Sequence, residues 1–275
     1  MTVPEQMLDI PPRQLITTLY GLYARAEGNW LSVAGLVRLM ADLGVEAAAV
    51  RSSVSRLKKR DVLRSVTRDA RAGYEPAPAT LEILREGDHR IFARPRATVA
   101  DGWLVVVFSV PESERGRRHE LRTQLVRLGF GTAAPGVWVA PGTLYDETVH
   151  VLDRLGLTTY TEFFRGDYLG AGDIAAKMRQ WWDLDELERL YGEFTATYGP
   201  VRDGLAGSAP DPATAFRLYV PMLTAWRRLP YLDPGLPLEL LPEGWRGVEA
   251  GDLFAELDAL LRKPADEHAH GLLHG

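Results

Sequence analysis

The 275-residue sequence contains no cysteine. That excludes a disulfide framework, a thiolate metal site and a thiol nucleophile, and it suits a reducing compartment. No apolar run approaches the roughly 18 residues that a membrane-spanning helix needs. The opening MTVPEQMLD lacks the basic and apolar regions of a secretory leader. The chain therefore reads as soluble and cytoplasmic, with no membrane partner. Catalytic signatures are missing too. There is no G-x-S-x-G, no phosphate-cradling glycine loop and no H-E-x-x-H. Asp183, Asp185, Glu186 and Glu188 read as a solvated helix face, not a general acid/base pair. No cofactor is called for, and no enzyme activity is expected.

What is present bounds the answer differently. A hydrophobic fraction of 46% supplies a sizeable core, and the length allows two or three domains. The formal charge of -5 hides a gradient. Residues 1–100 hold 15 Lys/Arg against 11 Asp/Glu, whereas residues 171–275 hold 10 against 17. The basic excess sits between Arg51 and Arg71. Local charge decides what a surface attracts, because physiological salt confines its field to roughly 8 Å.

The stretch VEAAAVRSSVSRLKKRDVL, Val45 to Leu63, organises that region. At 3.6 residues per turn, Ala47, Val50, Val54 and Leu57 share one buried face. The opposite face carries Ala48, Ser52, Ser55 and Lys59, flanked by Arg51 and Arg56. Small side chains permit close approach to a surface, and hydroxyls and guanidinium groups read base edges or phosphates. Two helices precede it. Pro11-Pro12 opens the first, with Ile16, Leu19, Tyr20 and Tyr23 inward, and Gly28-Asn29 ends it. Ser32 is expected to cap the second, which buries Leu36, Leu39, Met40 and Leu43. Strands at Leu63–Val66 and Tyr74-Glu75 flank a polar, basic tip, TRDARAG. Three short helices followed by a basic hairpin predict a winged helix-turn-helix. Ser52, Ser55 and Arg56 would face bases, and Arg51, Lys59, Arg64, Arg68 and Arg71 would face phosphates of double-stranded DNA. The competing reading is the same fold used only for protein contacts, or the ordinary solvated basic face of a helix.

A connecting helix from Thr80 to Arg90 and the stretch Ala93–Asp101 lead to a second segment. Trp103–Val110 is almost continuously apolar, which predicts a strand buried on both faces. A helix burying Leu121, Leu125 and Leu128, two short strands around Val137-Trp138-Val139, a helix Leu144–Leu155 and a strand Thr158–Phe163 complete a ferredoxin-like βαββαβ pattern. Helices at Ile174–Tyr198, Ala213–Arg228 and Val248 to about Leu261 follow, with a Gly/Pro/Asp loop after Gly199 and an extended wrap, Leu229–Gly247. The expected class is α+β. A winged-helix domain spans 1–95, a ferredoxin-like dimerisation domain 96–170, a helical domain 171–265 and a flexible tail 266–275.

Three segments then resemble a known family, the PaaX-type bacterial transcriptional repressors of phenylacetic acid catabolism. They are VRSSVSRLKKRDVL, LRTQLVRLGFGTAAPGVWVAP and above all AFRLYVPMLTAWRRLPYLDPGLPLELLPEGWRG. In the last, an Arg-Arg pair is followed in order by Asp-Pro, Leu-Pro, Leu-Leu-Pro and Trp. The likeness runs from about residue 13 to 262. It implies a homodimer that binds palindromic operator DNA and leaves it when an aryl-CoA thioester binds, phenylacetyl-CoA in the founding case. The middle segment also looks like the small CRISPR-associated ferredoxin-like nucleases, which need a carboxylate at the end of their first strand. Here that strand ends Phe108-Ser109-Val110-Pro111, and Asp101 stands at the other end. A metal-dependent nuclease is therefore the alternative reading, with dimerisation the expectation.

An acyl-CoA effector needs cations for its phosphates and an apolar slot for its acyl group. Arg115, Arg117, Arg118 and Arg122 in the middle helix are candidates, as are Arg227 and Arg228 beside Trp226, and Trp245 with Arg246. Each has a plainer reading as a structural ion pair or a core tryptophan. Arg227-Arg228 could simply lock the wrap against nearby acids. His268, His270 and His274 sit in the glycine-flanked ending, where a disordered tail is expected in preference to a metal site. His119 and His150 read as surface residues.

Overall fold

A computed structural model describes residues 10–93, 96–170, 172–205 and 210–275. The reading of the first nine residues lies outside these, as do parts of the expected boundary (94 and 95) and of the loop after Gly199 (206–209).

Pro12 opens α1 (Pro12–Leu19) where its missing N–H has no intrahelical partner to lose. Leu15, Ile16 and Leu19 are buried, and the helix widens into a π turn, Tyr20–Ala24. Gly28 and Asn29, both at positive φ, turn the chain into β1 (Leu31–Ser32). The Ser32 hydroxyl accepts the Gly35 N–H at 2.9 Å and caps α2 (Val33–Asp42). After α3 (Ala47–Lys59), β2 (Leu63–Arg68) and β3 (Arg71–Pro76) form an antiparallel hairpin, with β1 on the far side of β3. This is the winged helix-turn-helix arrangement.

The hairpin tip differs in detail from the expected Thr67–Gly73. The loop is Asp69-Ala70 alone, both at positive φ, as a two-residue type I′ turn demands. Gly73 lies within β3, where the Trp30 ring covers it so closely that a Cβ would overlap the indole. The glycine serves close packing, not the turn. Next, α4 (Pro78–Asp88) follows, its Asp88 paired with Arg25.

The next region runs β4 (Trp103–Phe108), α5 (Arg115–Arg127), β5 (Gly131–Ala134), β6 (Val137–Pro141), α6 (Tyr145–Arg154) and β7 (Thr161–Gly166). The sheet order is β5-β6-β4-β7 with every neighbour antiparallel, which is the ferredoxin-like topology. Its core joins Leu104, Val106 and Trp138 to Leu121, Leu125 and Leu152. Two expectations are corrected here. β4 is fully covered on the face of Leu104 and Val106, whereas its other face opens from buried Trp103 through half-buried Val105 to Val107, which is 37% exposed. The last strand starts later, because Thr158–Tyr160 winds into a 3₁₀ turn before pairing begins.

The expected single helix Ile174–Tyr198 is broken into α7 (Ile174–Trp181) and α8 (Leu184–Leu205). Trp182 turns extended at the break, packs beside Trp103 and donates its indole N–H to the Gly129 carbonyl at 2.8 Å. Asp183, read as a solvated acid, accepts the Glu186 N–H at 3.0 Å and caps α8. Beyond it come α9 (Pro212–Trp226), the short α10 (Leu229–Leu232) and α11 (Arg246–His274). The ending expected to be flexible is helical through His274. Leu261, Ala265 and Ala269 continue a buried stripe at four-residue spacing, and the Arg38 guanidinium donates to the carbonyls of Leu272 at 2.7 Å and Leu273 at 3.3 Å.

Packing divides the chain into two compact units, one formed by residues through Phe92 with Glu193–Arg227 and Ala250–Gly275, the other by Ala93–Gly192 with Arg228–Glu249. In the first, Trp226 is fully buried, stacks on Phe254 at 4.5 Å and donates to the Ile91 carbonyl at 3.1 Å. In the second, the proline-rich wrap is locked by Asp233, whose side chain is 1% exposed. That carboxylate accepts from Arg96 at 2.9 Å, the Tyr191 hydroxyl at 2.8 Å and the Gly235 N–H at 2.9 Å. The lock is Arg96, not the Arg227-Arg228 pair. Replacing Asp233 by Ala takes the carboxylate from the part-buried Arg96 guanidinium and should cost about 3 kcal/mol, measured as a lowered urea midpoint with near-unchanged m-value.

Candidate nucleic-acid interface

Val50, Ser53, Val54 and Leu57 bury one side of α3. Ala47 is half-buried, so Ser53 takes the place that the periodicity gave to Ala47. Ala48, Arg51, Ser52, Ser55, Arg56 and Lys59 are all exposed, as the spacing required. Arg56 donates to the Ser52 hydroxyl at 3.0 Å, which aligns two of the expected base-facing groups along the helix axis. Arg51 and Lys59 have no partner among the described residues. Lys58 and Arg60, which the face count passed over, are also exposed, and Lys58 lies over the Tyr74 ring at 5.8 Å. They belong to the same RLKKR run and extend the positive surface to the helix C-terminus, where cations are favoured by the helix dipole.

The wing residues divide by environment. Arg64 makes two hydrogen bonds of 3.2 Å to Asp61, whose carboxyl they hold below its usual range. Both groups are solvated, so this pairing is weak and easily exchanged for a phosphate. Arg68 is committed. It donates to the Gly28 carbonyl at 3.1 Å and to Glu75 at 2.9 Å, with its guanidinium 5.7 Å above the Trp30 ring. It fastens the hairpin to the turn before β1. Arg71, beside the tip, is exposed and has no partner among the described residues. The structure thus brings Ser52, Ser55, Arg56, Arg51 and Lys59 onto one helix face and places Arg64 and Arg71 on the hairpin, but it ties Arg68 inward.

The effector candidates are scattered. A cleft of about 570 Å³ opens within the ferredoxin-like region, walled by Phe108, Val110 and Trp138 and reached by Arg118 and Arg122 from α5. Arg118 donates to the Val110 carbonyl at 2.7 Å and to Glu112 at 3.1 Å, while Arg122 is exposed with no partner among the described residues. Arg115 is exposed at the start of α5 and does not line the cleft. Arg117 is spent on Glu120 and the Leu155 carbonyl. Arg227 donates to Thr18 at 3.0 Å and to the Gln14 carbonyl, securing α1 against α9. Arg228 and Arg246 are exposed, and Trp245 is buried edge-on to Tyr191. Asp101, two residues before β4, accepts from the Thr98 N–H at 2.7 Å and hydroxyl at 2.9 Å. It is a cap, and these bonds hold its carboxyl below the usual range.

Three stretches match models of known protein families. Residues 11–77 match the description "PaaX-like protein", 96–178 the "PaaX protein central Cas2-like domain", and 182–271 the "PaaX-like protein C-terminal domain". The transcriptional repressor PaaX of Escherichia coli (strain K12) is 25% identical over 244 residues, covering 87% of this chain and 77% of its own. The solved structure of an uncharacterized protein, Rv0674, from Mycobacterium tuberculosis superposes with a TM-score of 0.54 at 21% identity, over 92% of this chain and 96% of that one. That likeness shows a shared fold. The two arginines flanking the wing tip should separate cleanly in thermal or urea unfolding. Arg68→Ala should lower stability by about 1–2 kcal/mol through its lost bonds, and Arg71→Ala should stay within about 0.5 kcal/mol of the parent.

Proposed function

Because the chain belongs to the PaaX-like protein family, we propose that it is a transcriptional repressor that seats α3 in the major groove of operator DNA. The observation that carries this reading is the bare, small-residue, basic face of α3 beside the wing. Ser52, Ser55 and Arg56 face base edges, and Arg51, Lys59, Arg64 and Arg71 face phosphates. Arg68 acts on the wing's position, with its remaining donors on the phosphate side. In a homodimer, two such helices enter successive major grooves about 34 Å apart, over an inverted repeat. Dimerisation through the ferredoxin-like sheet is supported by its outer face, where Phe164 is 58% exposed opposite Val105, on the side that also carries Val107.

The effector in this reading is an aryl-CoA thioester such as phenylacetyl-CoA. The aromatic walls of the α5 cleft suit an aryl-acyl end, and Arg118 and Arg122 suit anionic oxygens. Release follows from reciprocity: a ligand that prefers the DNA-free state weakens DNA by the factor that DNA weakens the ligand. A nuclease lacks comparable support, since β4 carries no terminal carboxylate and Asp101 is engaged as a cap.

Genomic footprinting should recover an inverted repeat, and DNA incubated with the protein and magnesium or manganese should stay intact. In anisotropy titrations, Lys59→Ala or Arg71→Ala should reduce the slope of log K against log salt by about 0.9. Arg56→Ala should also relax base choice by about 1–3 kcal/mol at one position. Unchanged slopes and unchanged specificity would remove these residues from the interface. Arg122→Ala should keep DNA affinity but need about tenfold more phenylacetyl-CoA for release, and equal sensitivity would move the effector out of this cleft.

A further inference from the structure

We propose that Glu27, His270 and His274 form a binding site for a divalent first-row metal ion of the zinc type. The three ligand atoms, one per side chain, lie within 4.8 Å of one another. His270 and His274 are separated by four residues on α11, so both imidazoles stand on one helix face, with ring centroids 4.3 Å apart. The Glu27 carboxylate approaches from the turn between α1 and β1 and lies 2.8 Å from His274 Nε2. Zinc bonds of about 2.0–2.2 Å in a tetrahedral shell put ligand atoms a little over 3 Å apart, so side-chain rotation alone closes the set. Three protein ligands leave a fourth position for solvent.

Both arms are held in place by independent bonds. The Glu27 N–H donates to the Ala24 carbonyl at 3.1 Å, and the Glu27 carbonyl accepts from Trp30 at 3.3 Å. The last turns of α11 are gripped by Arg38 through the Leu272 and Leu273 carbonyls. His268 points elsewhere, to Asp42 at 3.0 Å, and is not part of the set. The histidine–carboxylate hydrogen bond engages only His274, and the i, i+4 spacing on α11 brings His270 to the same place as a third ligand. Two imidazoles and one carboxylate favour zinc, cobalt or nickel over calcium or magnesium. Bound metal would cross-link the end of α11 to the turn between α1 and β1, inside the winged helix-turn-helix.

The test is titration of the untagged, metal-free full chain with cobalt(II), followed by displacement with zinc. The expected result is saturation at one equivalent with the visible bands of tetrahedral cobalt. His270→Ala, His274→Ala and Glu27→Gln should each weaken binding at least about tenfold, and His268→Ala should not. All four metal-free variants should match the parent in circular dichroism, which separates ligand loss from misfolding. Zinc should also slow amide exchange over residues 24–30 and 262–275 in the parent but not in the His270→Ala/His274→Ala chain. No saturable binding, or undiminished binding by that double variant, overturns the proposal.

Discussion

Helix α9 is apolar on nearly every side, with Phe216, Leu218, Tyr219, Val220, Met222, Leu223 and Trp226 all buried. A helix of that kind has little solvent face beyond Arg217 and must be surrounded. α1 covers it through the Thr18–Thr224 contact at 2.8 Å and the Arg227 bonds, and Phe194 and Phe254 close on Trp226. The winged helix-turn-helix is consequently not a free module. It shares one hydrophobic core with helices that lie more than a hundred residues later in the chain.

Asp42 shows how polar groups sharpen that arrangement. At the end of α2 it accepts from Arg217 of α9 at 2.8 Å and meets His268 of α11 at 3.0 Å. With Arg38 gripping the end of α11, α2 is tied to two distant helices while α3 keeps its outer side bare. The rigid and the accessible sides of the helix-turn-helix are set by different residues. The buried stripe of α3 and the contacts of α2 fix position, and the exposed serines and cations are left to recognise a partner. The wing obeys the same division, with Arg68 drawn inward and Arg71 left outside.

Much of this could be read in advance from local chemistry. Three short amphipathic helices, the Ser32 cap, the exposed face of α3 and the βαββαβ order all follow from periodicity and capping rules that act over a few residues. What escaped was decided by distant partners. Trp182 breaks a continuous helical pattern because its indole finds the Gly129 carbonyl. Arg68 and Arg71 look alike as residues in a basic hairpin, and only the Trp30 ring, Gly28 and Glu75 distinguish them. Of eight arginines and tryptophans named for an effector, two reach one cleft, since nothing in the spacing says where separate elements meet.

The sequence alone therefore determined the element order through β7, the α+β class and which side of α3 stays polar, because each depends on side chains within a turn or two of one another. Tertiary structure decided the rest. It carried α11 through the glycine-flanked ending to His274, since Arg38 and a buried alanine stripe compensate for weak local propensity. That extension set two histidines of an apparent tail beside Glu27, a proximity created by packing across more than two hundred residues.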